Sequence, residues 1–180
     1  MKRFTTKKLV LGALFAALTC ICTMVITIPT PTGGYVHAGD CFVILSGILL
    51  GSLSGGLSAG IGSMFADLFL GYTAYAPGTF LIKFMAAFLA AGIYRQAQRI
   101  SSTHKMRLFP ILSAGIISSI VVIAGYFLYD WFLTGNTLTA AISSIFGNSM
   151  QGLTSIVLSA LFYLVIPKNI WRMLNSREDS

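Results

Sequence analysis

From Leu9 to Ile28 the chain runs for twenty residues without a charge, and Cys41–Gly71, Thr79–Tyr94, Leu108 to about Leu133 and Asn148–Ile166 are almost as apolar. A water-soluble fold cannot hide that much hydrocarbon. Charged residues make up 9% of the 180, against about 25% in an ordinary globular chain. A helix crossing a ~30 Å hydrocarbon layer needs about 20 residues, so six would consume roughly 120. What remains is enough for short loops and two tails. The sequence therefore predicts one all-α integral membrane domain over 1–180 with six transmembrane helices, and it excludes a large extramembrane enzyme domain.

The individual spans follow from punctuation. Leu9–Ile28 ends at the turn-rich Pro29-Thr-Pro-Thr-Gly33-Gly34. At twenty residues it is longer than the 7–15 of a signal-peptide core, so it reads as an uncleaved first helix. Cys41–Gly71 is interrupted by Gly51-Ser-Leu-Ser-Gly55-Gly56 and reads as a helical hairpin, spans two and three. Gly47, Gly51 and Gly55, then Gly56 and Gly60, and Ser58 and Gly62, recur every four residues and predict close helix packing. Span four is Thr79–Tyr94, span five Leu108 to about Leu133, and span six begins near Asn148 after a Gly/Asn/Thr-rich linker from Thr134.

The net charge of +7 points to topology instead of nucleic acid. Eleven of the twelve Lys and Arg fall in three clusters, Lys2–Lys8, Arg95–Arg107 and Lys168–Arg177, which six spans place on one side of the membrane. By the positive-inside rule that side is cytoplasmic, with both termini on it. Cys20, Cys22 and Cys41 have neither the number nor the spacing of a disulfide framework or zinc site.

An ionisable residue within a span costs about 2.5–3.5 kcal/mol at its centre, so each one needs a reason. Asp40, Asp67, Lys83 and Asp130 all fall in the outer half, as do Asn148 and Gln151 at the opening of span six. Tyr35, His37, Tyr72, Tyr75, Tyr126, Tyr129 and Trp131 crowd the same end. An interfacial aromatic belt accounts for rings, but it does not call for acids, a lysine and amides beside them. The combination predicts an outward-facing pocket for a small, flat, polar molecule, with Tyr35, His37, Asp40, Tyr72, Tyr75, Lys83, Tyr126, Asp130, Trp131, Asn148 and Gln151 as candidate binding residues. Asp67 and Lys83, on helices joined by a short loop, are also candidates for a structural ion pair.

No Gly-x-x-x-x-Gly-Lys-Ser/Thr loop, Gly-x-Ser-x-Gly elbow or His-Glu-x-x-His motif occurs, so no enzyme, catalytic residue, cofactor or metal is expected.

The segment from 35 to 83, with Tyr35-Val-His-Ala-Gly-Asp40, Ala66-Asp67-Leu-Phe-Leu-Gly71-Tyr72 and Tyr75-Ala-Pro77-Gly-Thr-Phe-Leu-Ile-Lys83, resembles the substrate-binding S component of energy-coupling factor (ECF) vitamin transporters. It is most similar to the branch with hydroxymethylpyrimidine, pyridoxine and riboflavin-like members. The resemblance implies a six-helix bundle that binds a vitamin or precursor on its outer side and works with a transmembrane coupling protein and two ATPase subunits. Ala13-Leu-Phe-Ala-Ala17 is similar to the family's Ala-x-x-x-Ala motif, which implies partner docking through Ala13 and Ala17, although Gly12 and Ala16 form a second small pair. A pyrimidine or pyridine precursor is the favoured substrate. The resemblance also makes the outer loops 29–40 and 72–78 candidate lids hinged at Gly33, Gly34 and Gly78. The alternative is a stand-alone small-solute transporter or channel subunit, which would spread polar groups through both halves of the membrane.

Overall fold

A computed structural model describes residues 6–25, 27–29, 35–101, 108–132 and 137–166. Six helices lie among them: α1 (Thr6–Val25), α2 (Asp40–Leu50), α3 (Ser52–Leu70), α4 (Ala76–Ile100), α5 (Phe109–Phe132) and α6 (Leu138–Val165). Between α1 and α2, β1 (Thr27–Pro29) and β2 (Tyr35–His37) pair antiparallel, Ile28 opposite Val36. Five helices are long and apolar enough to cross a membrane; α2 is not.

The difference from six full spans lies in what surrounds α2. At eleven residues it is about 16 Å long, and ten of the eleven are buried. α1, α3, α4 and α6 enclose it, so it meets protein where a spanning helix meets lipid. A helix apolar on every side is what such a position requires. Gly51 alone separates α2 from α3, at φ +85°, a conformation that costs glycine nothing. Its N–H bonds to Gly47 O at 3.0 Å, and the N–H of Gly55 bonds back to Gly51 O at 2.8 Å.

The small-residue stripes lie where helices touch. A Cβ at Gly47 would strike the carbonyl of Ala87 on α4, one at Gly55 the backbone of Ser46 and Gly47 on α2, and one at Gly62 the carbonyl of Ala16 on α1. Gly56 and Gly60 meet Phe84 and Phe80 of α4. Close backbone approach is what packs an apolar bundle in lipid, where burying more hydrocarbon gains nothing.

Two helix boundaries differ from expectation. α6 starts at Leu138, ten residues before Asn148, with the Thr137 hydroxyl accepting from Ala140 N–H at 3.3 Å as its cap. Asn148 and Gln151 therefore lie inside α6. α4 continues past Tyr94 to Ile100. Lys7 and Lys8 begin α1, while Arg95 and Arg99 lie toward the end of α4; both sets mark the end of the bundle away from Asp40. The other clustered basic residues, and the proposed hinges Gly33 and Gly34, lie outside the described residues.

Candidate functional site

The end of the bundle opposite Lys7, Lys8, Arg95 and Arg99 is built by helix termini and the β-hairpin. α3 ends in a left-handed glycine, Gly71 at φ +85°, with Gly71 N–H bonded to Leu68 O (3.3 Å) and Tyr72 N–H to Asp67 O (2.8 Å). This pair of bonds is a Schellman turn, and it folds Tyr72 back toward Asp67. The Tyr72 ring then lies 4.7 Å, centroid to centroid, from that of Tyr35 on β2. Tyr75, the N-cap of α4, and Thr79 and Lys83 within it follow at intervals of four and share a face. On α5 Tyr126 and Asp130 do the same, and on α6 Ser144, Asn148 and Gln151 share a face at intervals of four and three.

These faces enclose one cavity, lined by Tyr35, Val36, His37, Asp67, Tyr72, Tyr75, Thr79, Tyr126, Asp130, Ser144, Gly147, Asn148 and Gln151. It gives the centre of a water-sized sphere about 40 Å³ of room, several times what a single buried water needs. Four tyrosines, two carboxylates and two amides thus face a small space.

Below the cavity lies a closed polar cluster. The Lys83 ammonium donates to both oxygens of Asp40, at 2.6 and 2.8 Å, with its side chain fully enclosed. Its Nζ also stands 5.1 Å from the centre of the Tyr126 ring. Gln151 Nε2 donates to Asp40 Oδ2 at 2.7 Å, and Gln151 Oε1 accepts from the His37 backbone N–H at 3.0 Å. One glutamine of α6 therefore ties α2 to the β-hairpin. His37 Nδ1 accepts from Gly39 N–H at 3.1 Å, which leaves the ring proton on Nε2, 3.9 Å from Asp40 Oδ1.

The expected pairing of Asp67 with Lys83 is corrected. Gly56 packs at the level of Phe84 and Gly60 at that of Phe80, so antiparallel α3 and α4 place Lys83 level with the middle of α3, below Asp67. Lys83 lies one turn above Ala87, on the face that meets Gly47 of α2, and its chain reaches up that seam to Asp40. Asp67 instead accepts from Tyr35 O–H through Oδ1 at 2.5 Å. Burial and this neighbouring carboxylate push the Tyr35 phenol well above its usual pKa, so it stays a donor. Tyr75 O–H donates to Asp130 Oδ1 at 2.7 Å, and Thr79 and Tyr126 share a hydroxyl–hydroxyl bond of 2.9 Å.

Of the residues expected at the pocket, Tyr35, His37, Tyr72, Tyr75, Tyr126, Asp130, Asn148 and Gln151 line it. Asp40 and Lys83 lie beneath it, spent on one another. Trp131 is not in it: one position beyond Asp130 turns its ring outward against Phe127 and Phe132, 42% exposed. Gly78 is not a hinge either. It lies in the first turns of α4, where a Cβ would strike the Tyr129 ring, and Tyr129 O–H caps the turn through Ala74 O at 2.7 Å. Val36, Thr79, Ser144 and Gly147 line the cavity without having been expected there, and Asp67, expected as a structural ion-pair partner, lines it too; stepping back one turn from Lys83 or Asn148 finds Thr79 and Ser144.

On α1, Gly12 and Ala16 face Ser58 and Gly62 of α3, while Ala13 and Ala17 are exposed beside Leu14. Internal packing thus uses the second small pair and leaves the first open.

Burial pulls the His37 pKa from 6.5 down to about 4, with Lys83 adding to the effect and Asp40 opposing it. Because the folded site refuses a proton that the opened site accepts, its stability is complete above pH 6.5 and is lost as pH falls toward 4. Protease protection of the hairpin, followed against pH, is expected to decline across that window, and His37→Gln to flatten the decline. A profile that is the same in both proteins would refute this.

No curated protein matches the chain. A solved structure described as the S component of a bacterial ECF transporter shares its fold at TM-score 0.62 and 18% identity, over 94% of this chain and 98% of that one. Residues 3–168 match the family described as ECF-type riboflavin transporter, S component. With nearly its whole length covered by that match, the chain belongs to the S-component family of ECF transporters.

Proposed function

We propose that this S component, a multi-pass membrane protein and not an enzyme, binds a small B-vitamin or precursor built on one heteroaromatic ring, with hydroxymethylpyrimidine- and pyridoxine-like molecules favoured. The observation that carries the reading is the cavity itself: tyrosine rings to stack on a flat ring, and acids and amides to read its edge, around one shared space. S components work with a transmembrane coupling protein and ATPases, which supplies the energy source that this sequence does not encode. In our reading the cavity end faces outward and the Lys7, Lys8, Arg95 and Arg99 end faces the cytoplasm of a cell membrane. Among the described residues every buried Asp, Lys and His lies at the cavity end, which argues against a stand-alone pathway.

A second reading comes from the family's description, which names riboflavin. Mass spectrometry of small molecules released from the purified chain, followed by titration, separates the two. Release of a pyrimidine or pyridine vitamin at near-stoichiometric amount is expected. Release of riboflavin would replace our reading, and an empty chain that binds neither class would end both.

The exposed Ala13/Ala17 face of α1 is the proposed docking face for the coupling protein. Ala13→Trp is expected to cut ATP-driven uptake at least about tenfold and leave binding to the isolated chain unchanged, since tenfold is only about 1.4 kcal/mol of lost docking. Equal loss of binding and uptake would show that the face is structural.

A further inference from the structure

Side-chain donors are scarce on the cavity wall. Tyr35 and Tyr75 spend their hydroxyl protons on Asp67 and Asp130. The Thr79 hydroxyl donates to the Asp67 carboxylate, so it accepts from Tyr126 O–H, 2.9 Å away. Ser144 O–H donates to Ala141 O at 2.8 Å, and Gln151, 1% exposed, is used at both ends of its amide. Two lining side chains keep a proton for a guest. Asn148 Nδ2 gives one of its two protons to Ser144 O at 3.0 Å, and neither the other proton nor Oδ1 has a partner among the described residues. Because a carbonyl can only accept, the nitrogen must be the atom that faces Ser144, which settles how the amide is turned. The Tyr72 hydroxyl likewise has no partner among the described residues, while its ring is held against Tyr35. Both side chains are half-buried, and neither contributes to the polar atoms sealed without a partner, so both groups can reach a molecule in the cavity.

We infer that Asn148 is the specificity-determining residue of the cavity: its remaining Nδ2 proton and its Oδ1 read an acceptor and a donor on neighbouring atoms of the ligand ring, as where a ring nitrogen stands beside an amino group. Tyr72 O–H meets one further acceptor. This rests on the reading of the cavity as the vitamin site. With two side-chain donors to offer, the cavity suits a ring poor in acceptors, since each additional ring oxygen or nitrogen would leave water without finding a replacement donor.

The test is calorimetric titration of the purified full chain with three probes on one ring: a hydroxymethyl-aminopyrimidine, its analogue with methyl in place of amino, and its analogue with C–H in place of the ring nitrogen next to the amino-bearing carbon. Each analogue is expected to bind about tenfold more weakly than the first probe, because the methyl strands Asn148 Oδ1 and the C–H strands the Nδ2 proton. Asn148→Ala should bring all three to within about threefold of one another, whereas loss of a residue that only packs α6 would weaken all three equally and keep the preference. Tyr72→Phe should weaken all three alike, because its contact lies elsewhere on the ring. Equal binding of the three by the unaltered chain would overturn the inference alone, and it needs no variant to fold. A preference that survives Asn148→Ala would overturn it too. Binding of none of the three, with riboflavin bound, would overturn the single-ring reading and this inference with it.

Discussion

Lys83→Met is expected to destabilise the protein by about 3–5 kcal/mol, the range for stranding one partner of a buried ion pair. The stranded partner is Asp40, 4% exposed at the start of a helix enclosed by other helices, where water cannot replace the lost ammonium. Gln151 would remain as a single donor to Oδ2. The double variant Asp40→Leu/Lys83→Met removes the charge together with its counter-ion, and it is expected to recover most of the loss, since replacing a whole buried pair by apolar side chains is often neutral. Thermal unfolding in detergent reads both. A single variant as stable as the parent would show that the pair does not hold α2 to α4. Loss of equal size in single and double would assign the effect to packing.

Gln151→Leu is expected to have the next largest effect. Its amide is the only described side chain that bonds both the hairpin and α2. Leucine keeps the volume but orphans the His37 N–H and removes a donor from Asp40, each costing roughly 1–3 kcal/mol when buried. The hairpin forms one wall of the cavity through Tyr35, Val36 and His37, so ligand affinity should fall with stability. Gln151→Glu discriminates the two bonds: it keeps the acceptor for His37 while placing a carboxylate against Asp40. If Gln151→Leu left affinity and hairpin protection unchanged, the hairpin would have to be held by its other contacts.

How much of this could be read beforehand depends on what each feature needs. Span positions need only runs of apolar residues, and the polar cluster needs only depth along each span, so the gathering of Asp40, Asp130, Asn148 and Gln151 at one end of the bundle is legible in the sequence. Pairing needs register, which is set by backbone contacts such as Gly47 against Ala87 and Gly60 against Phe80, and no single helix contains it. Sequence proximity therefore pairs Lys83 with Asp67, whereas register pairs it with Asp40. The first ten residues of α6 read as linker because Ser143, Ser144, Gly147 and Asn148 dilute the apolar pattern there. Ser144, Gly147 and Asn148 are polar because that stretch lines the cavity, so the function of the segment concealed its structure. The hairpin strands, three residues each, are too short to show an alternation.

The enclosure of α2 also constrains how the protein is made. Lys83 follows Asp40 by 43 residues, so during synthesis the carboxylate emerges well before its counter-ion exists. An aspartate within the hydrocarbon is costly, up to about 2.5–3.5 kcal/mol at its centre, and an eleven-residue helix is too short to claim a place there on its own. Stable entry of α2 must therefore wait for α4, and the last contacts to close, through Gln151, wait for α6. The central helix is among the first to be translated and the last to be seated, so a nascent chain interrupted in the loop before α6 would hold a bundle with its middle still unlatched.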